Sequence, residues 1–161
     1  MTGSATPRRR IPGDRGQVAG IEVLPFGLLI FIAGALLLTN IWGVIDAKFA
    51  ADAAAREATR YLVEVARSDV AASTVVEGAT DVARQTLDDH GRSSPASVTI
   101  EPDAAALTRC QRIRVTVSTE VPAIRIPFIG GFGEPFDIVA THSELIDPTR
   151  SGVAGRADCI R

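Results

Sequence analysis

The sequence predicts an α+β protein: a single N-terminal transmembrane helix continuing into a long amphipathic helix, a second helix, then a small antiparallel β-sheet domain. Three observations carry that prediction. Residues 23–45 (VLPFGLLIFIAGALLLTNIWGVI) hold no charge and only Thr39 and Asn40 as polar side chains. Apolar residues then recur at helical spacing as far as Val65. Beyond Arg112, apolar and polar residues alternate as they do in a half-buried strand.

Size and charge set the outer bounds. Of 161 residues, about 115 remain once the apolar stretch and its leader are subtracted, enough for one small domain. A net charge of -2 lacks the basic face of a nucleic-acid binder. Aromatics make up 5%, which favours thin helices and a small sheet over a large aromatic core.

Residues 1–17 read as a disordered basic leader, rich in Gly, Pro, Ser and Thr and without apolar periodicity. Arg8, Arg9, Arg10 and Arg15 precede the apolar run, whereas Lys48 follows it in the company of Asp46 and Asp52. By the positive-inside rule the leader stays in the cytoplasm and the remainder is exported. Residues 18–45 are then the transmembrane helix. At about 1.5 Å per residue the 23 apolar positions reach roughly 35 Å, enough for a hydrocarbon core of about 30 Å with some tilt. A cleaved signal peptide normally has an apolar region of about 7–15 residues. The longer run, with Glu22 at its start, favours a retained anchor.

Within that helix Gly20, Gly27 and Gly34 recur every seven residues. They form either a small-residue stripe for close helix packing or the ordinary glycine content of membrane helices. Pro25 lacks an N–H, so a kink or a helix start is expected there. Trp42 suits the interface at the far end. Glu22 is either a carboxylate hydrated among headgroups or one paired with a cation on a neighbouring subunit.

Residues 46–91 form the helical region. Ala47, Ala51, Ala54, Ala58, Tyr61 and Val65 are spaced 4-3-4-3-4, a stripe one side chain wide. Lys48, Asp52, Arg56, Arg60 and Glu64 lie opposite. One helix is predicted from the membrane to about Arg67. A second follows, with Thr74-Val75-Val76-Glu77 matching a capping box. Val75, Ala79, Val82, Ala83, Thr86 and Leu87 keep its period, and Gly91 fits the position just past its end.

Residues 92–161 form the β-sheet domain with a C-terminal tail. Ser93-Ser94-Pro95 is a turn, Val98-Thr99-Ile100 a short strand, and residues 112–121 (RIRVTVSTEV) the main strand. Ile113, Val115, Val117 and Val121 share one face of it, and Arg112, Arg114, Thr116, Ser118 and Glu120 the other. Pro122 and Pro127 end the run. Gly130-Gly131-Phe132-Gly133 is expected as a loop with an apolar tip, and residues 136–146 as the last strand. An antiparallel meander follows, its apolar face covered by the helices. Cys110 and Cys159, the only cysteines, both fall on the exported side, which favours a disulfide. Two unpaired thiols are the alternative.

The chain shows no catalytic constellation. Asp88-Asp89-His90 are neighbours on a helix end and point different ways, where a catalytic metal usually needs three converging ligands. His142-Ser143 lacks the nucleophile elbow of a hydrolase. The glycines near 130 fit a turn better than a phosphate cradle. No enzyme activity, cofactor or metal is expected.

An Arg15-Gly16 leader, Val18-Ala19, Glu22, and Pro25 opening a long apolar helix resemble the TadE-like pseudopilins of tight-adherence (Flp-type) pili. Ala53-Ala54-Ala55-Arg56-Glu57-Ala58-Thr59-Arg60-Tyr61 is similar to that family's AAREGAR-type segment. Residues 113–121, the Pro/Gly-rich crossing and residues 136–144 resemble its C-terminal sheet, so the likeness covers about residues 16–149. It implies a pilin-like fold and a membrane-embedded structural or assembly component of a pilus or secretion machine. It also implies processing by a prepilin peptidase after a small residue, with the glutamate fifth in the product. Here a cut after Gly16 makes Gln17 the first residue and Glu22 the sixth. The implied partners are membrane lipid, other pilin-like subunits and secretion proteins; no nucleic acid is expected. A membrane-anchored binding module or adhesin, using the apolar loop around Ile129 and Phe132, is the alternative.

Overall fold

Alanine dominates the middle of the first helix, and its small side chain sets how closely the rest of the chain can approach. The computed structural model describes residues 18–65, 67, 69–92, 96–102 and 107–159, with side chains from residue 23 onward. The chain divides into two units, Met1–Leu38 and Thr39–Arg161. Helix α1 (Val18–Val65) contributes to both. It is already helical before Pro25, which lies inside it, so no helix start occurs at that proline.

In the second unit Ala47, Ala50, Ala51, Ala54, Ala55, Ala58 and Leu62 are all fully buried. The seam is therefore wider than the single stripe expected from spacing. Ala51, Ala54 and Ala58 are joined by Ala50, Ala55 and Leu62 in one core, which also takes residues from α2 and from the sheet. A helix covered by two neighbours buries two columns of side chains, and methyl groups let both neighbours come close.

Helix α2 (Ala72–Asp89) buries Val75, Ala79, Ala83 and Leu87, four positions from the predicted stripe. Its start corrects the expectation. The N-cap is Ala71, without a side-chain cap, and Thr74 and Glu77 lie inside the helix. Ala72 is a good helix former, and the Val75 N–H already donates to the carbonyl of the extended Ala71 at 3.2 Å. The capping box therefore has no free terminus to serve. The other end follows the prediction. Gly91 adopts φ +70, the Gly91 N–H donates to Asp88 O, and the Arg92 N–H donates to Leu87 O, both at 2.8 Å. That bond pair is the Schellman motif.

At Gly78 the two helices are in close contact. A Cβ built there lies 2.6 Å from Tyr61 Cζ, closer than packed atoms approach. Gly78→Ala is expected to destabilise by about 1–3 kcal/mol, the usual cost of overpacking, despite a helix-propensity gain of about 0.8–1.0 kcal/mol. Thermal unfolding of the detergent-solubilised chain checks this. In a Tyr61→Ala background the same change should become stabilising.

Strands β1 (Ala96–Glu101), β2 (Arg112–Val121) and β5 (Phe136–Leu145) form an antiparallel sheet in the order β1-β2-β5. Val98 pairs with Val117, and Val117 with Ala140. Ile113, Val115, Val117 and Val121 are buried as predicted, and Thr119 is buried on the same face. The opposite face is polar, with a cross-strand bond between the hydroxyls of Thr116 and Thr141 at 3.0 Å. Between β2 and β5 the expected loop is instead a small hairpin of β3 (Ile124–Ile126) and β4 (Gly130–Phe132). Three-residue strands flanked by proline and glycine carry too little periodicity to register as strands.

Candidate functional site

The most unusual property of the molecule is the change of surroundings along α1. Leu24 and Phe31 are 71% and 73% exposed, and most of the large apolar side chains from Val23 to Ile45 are exposed, with Leu36 and Val44 partly buried. From Ala47 onward one side of the helix, the alanine seam, is buried, while Phe49 and most of the charged side chains opposite stay exposed. Soluble monomers rarely display a contiguous apolar patch beyond a few hundred Å². Among the described residues α1 is the one helix long and apolar enough to cross a membrane, and none of its most apolar stretch is buried. A single such helix near the N-terminus fits a single-pass membrane protein.

The residues singled out by sequence within this helix fall as follows. A Cβ at Gly27 or Gly34 meets nothing within 4 Å, so both are open to lipid or to another helix. Gly20 and Glu22 lie in α1, with side chains outside the described residues. Gly16 and Gln17 also lie outside them.

Where the apolar run ends, three polar tethers bind α1 to elements far along the chain. The Asn40 amide pairs with the backbone of Arg125: its Nδ2 donates to Arg125 O at 3.1 Å, and its Oδ1 accepts the Arg125 N–H. Arg92 Nη2 donates to Gly43 O at 2.8 Å and to Asp46 Oδ2 at 2.7 Å. Lys48 Nζ donates to Val139 O at 2.7 Å. The Arg92 side chain is 11% exposed, and the Schellman turn ending α2 delivers it to α1. A buried arginine without partners is costly, so its two acceptors make this an anchoring contact. Neither Arg92 nor Arg125 has a local sequence signal. The only hint was an amide, Asn40, standing in an otherwise apolar run. Asn40→Ala is expected to free the hairpin with a loss of about 1–2 kcal/mol. Hydrogen exchange checks it, with the Arg125 amide exchanging faster and the β2 amides unchanged.

The hairpin itself ends in an exposed aromatic. Pro127 and Phe128 occupy the centre of a turn closed by the Ile129 N–H donating to Ile126 O at 3.2 Å. Phe128 has φ +67. That is the second central position of a type II turn, where glycine is the usual residue. A left-handed residue with a Cβ costs roughly 1–2 kcal/mol. Phe128 is nonetheless fully exposed, and Ile129 is 70% exposed.

Cys110 and Cys159 are joined in a disulfide with a Cα–Cα distance of 5.3 Å across 49 residues of sequence. Cys110 sits at φ +65, in a turn where the Gln111 N–H donates to Thr108 O and the Cys110 N–H to Ile146 O. The Arg109 N–H donates to Ala154 O at 2.8 Å, and Val153 is buried. The tail from Pro148 is thus tied to the domain at Ala154 and Cys159. Thr149 donates to Asp147 Oδ1 through both its amide and its hydroxyl at 2.7 Å, which holds that carboxyl below its ordinary range.

The chemically suggestive pairs do not converge. Asp88, Asp89 and His90 are exposed at the end of α2. His142 Nε2 lies 3.2 Å from Glu144 Oε1, two residues along the same strand face, while Ser143 Oγ accepts from Arg112 at 3.5 Å. Among the described residues no group of three or more His, Cys, Asp or Glu is placed to hold a metal ion. No protein-family model matches the chain, and no curated protein or solved structure matches it significantly.

Proposed function

We propose that the chain is a TadE-like single-pass pseudopilin, a non-catalytic structural or assembly component of a tight-adherence pilus or secretion system. Its N-terminus stays in the cytoplasm and its folded domain lies beyond the inner membrane, following the arginine excess before the apolar run. The observation that carries this reading is the switch in α1 from exposed apolar side chains through Ile45 to a buried alanine seam from Ala47. Such a helix suits a subunit that packs sideways within the bilayer and carries a small sheet domain. The open edges at Gly27 and Gly34 support close approach by a neighbouring helix.

Crosslinking in cells tests the reading. Gly27→Leu and Gly34→Leu should leave the protein in the membrane fraction and abolish its crosslinks to partner subunits; undiminished crosslinks overturn the packing role. N-terminal sequencing should find Gln17 first, and an intact Met1 or Thr2 overturns processing. A secretion ATPase and a prepilin peptidase encoded beside this gene are expected, and their absence counts against a pilus.

A further inference from the structure

We infer that the β3–β4 hairpin is a second membrane-contacting element, whose tip residues Phe128 and Ile129 insert into the lipid interface beside the point where α1 leaves the bilayer. The inference rests on α1 being a transmembrane helix and concerns a different part of the chain.

Three observations lead to it. The first is the descent of the chain along α1. Val139 bonds Lys48, and Arg125 bonds Asn40, eight residues nearer the apolar run. At about 1.5 Å per residue this is roughly 12 Å along the helix. Asn40 lies inside the apolar stretch, five residues before its end at Ile45, so the hairpin is pinned at the depth of the interface rather than in bulk water. Arg125 and Pro127 also line a cleft with Thr39 and Trp42, which keeps the turn at that level. Trp42, open to its surroundings, belongs to the residue type that seats at this boundary.

The second observation is the chemistry of the tip. Phe128 and Ile129 are apolar and exposed, and Arg125 stands three residues away. Apolar tip and basic flank together match an acyl boundary beneath anionic headgroups. The third is the backbone. Phe128 holds φ +67 at a turn position that glycine fills without strain, so folding alone gives no reason for a phenylalanine there. Lipid contact supplies one.

The test uses the full chain in vesicles of equimolar phosphatidylcholine and phosphatidylglycerol, with brominated lipid as the quencher. Trp42 is the only indole, so the unaltered protein reports on the transmembrane helix, and its emission should fall with brominated lipid. In a Trp42→Phe background, Phe128→Trp moves the indole to the hairpin tip, and Asp81→Trp moves it to the exposed side of α2 as a control. The expected result is loss of most of the emission at position 128 in brominated lipid, with none at position 81. Quenching of the native Trp42 without quenching at position 128 overturns this inference and leaves the transmembrane helix standing. Shielding of position 128 from both brominated lipid and aqueous iodide assigns the tip to a protein contact, such as a second copy, and overturns it too. No quenching of the native Trp42 overturns the premise and the inference together. Phe128→Gly separates a structural role from a lipid one: it should preserve or raise thermal stability while weakening vesicle binding of the hairpin.

Discussion

Ile32→Arg combined with Leu37→Arg is expected to remove the protein from the membrane fraction. Both positions lie within three residues of the midpoint of the apolar run, Gly34, and both side chains are exposed. Each arginine near a bilayer centre costs about 2.5–3.5 kcal/mol on insertion scales, so the pair costs about 5–7 kcal/mol. The twelve Val, Leu, Ile and Phe residues left in the run contribute roughly 0.3–0.6 kcal/mol each, about 4–7 kcal/mol together, so the pair cancels the drive for insertion. Alkaline carbonate extraction provides the measurement, and the doubly substituted chain should appear in the supernatant. A second readout follows from compartment. Under the proposed orientation, a chain that fails to insert leaves its folded domain in the cytosol, where Cys110 and Cys159 stay reduced. Retention in the carbonate pellet with the disulfide formed would reject the assignment of residues 23–45 as the membrane span.

Replacing both cysteines by serine is expected to lower the stability of the folded unit by about 4 kcal/mol in the chain-entropy model for a loop of this length. The loop is long, with 49 residues separating Cys110 from Cys159, and it spans β2, the hairpin and β5. Against a total of about 5–15 kcal/mol for a typical domain, that loss is a large fraction. Urea unfolding of the detergent-solubilised protein should show a markedly lower midpoint for the double variant. Reductant should shift the parent chain by a similar amount. The effect should be strongest in the tail, where the Arg109–Ala154 bond and buried Val153 depend on Cys159 being held nearby. A midpoint unchanged by reductant would show that packing alone holds the tail.

Elements with a long, regular hydrophobic period were legible from the residues alone. The 4-3-4-3-4 spacing located the buried side of α1, the stripe from Val75 to Leu87 located that of α2, and alternation over RIRVTVSTEV located β2 to the residue. Gly91 was legible because one backbone conformation at a helix end strongly favours glycine. The hairpin was not, since Ile124-Arg125-Ile126 and Gly130-Gly131-Phe132 become strands only by pairing with each other. The capping box misled because Thr74 and Glu77 match a local pattern, whereas the helix extends three residues further back, to Ala72. At the candidate site the open glycines were legible as small residues at a seven-residue interval. The partners of Asn40, Gly43 and Lys48 were not, because each lies between 49 and 91 residues away in sequence.

By itself the sequence determined that one helix is apolar enough to cross a bilayer, that a second helix and an alternating sheet follow it, and which faces of these elements turn inward. Such information is local, since hydropathy and its period belong to consecutive residues. Only the tertiary structure decided how wide the alanine seam is, that Arg92 and Asn40 tether distant segments to α1, and that Phe128 stands exposed at the tip of a hairpin. Those features depend on which surfaces meet after folding, and burial, hydrogen-bond partners and strain are properties of contacts between segments far apart along the chain.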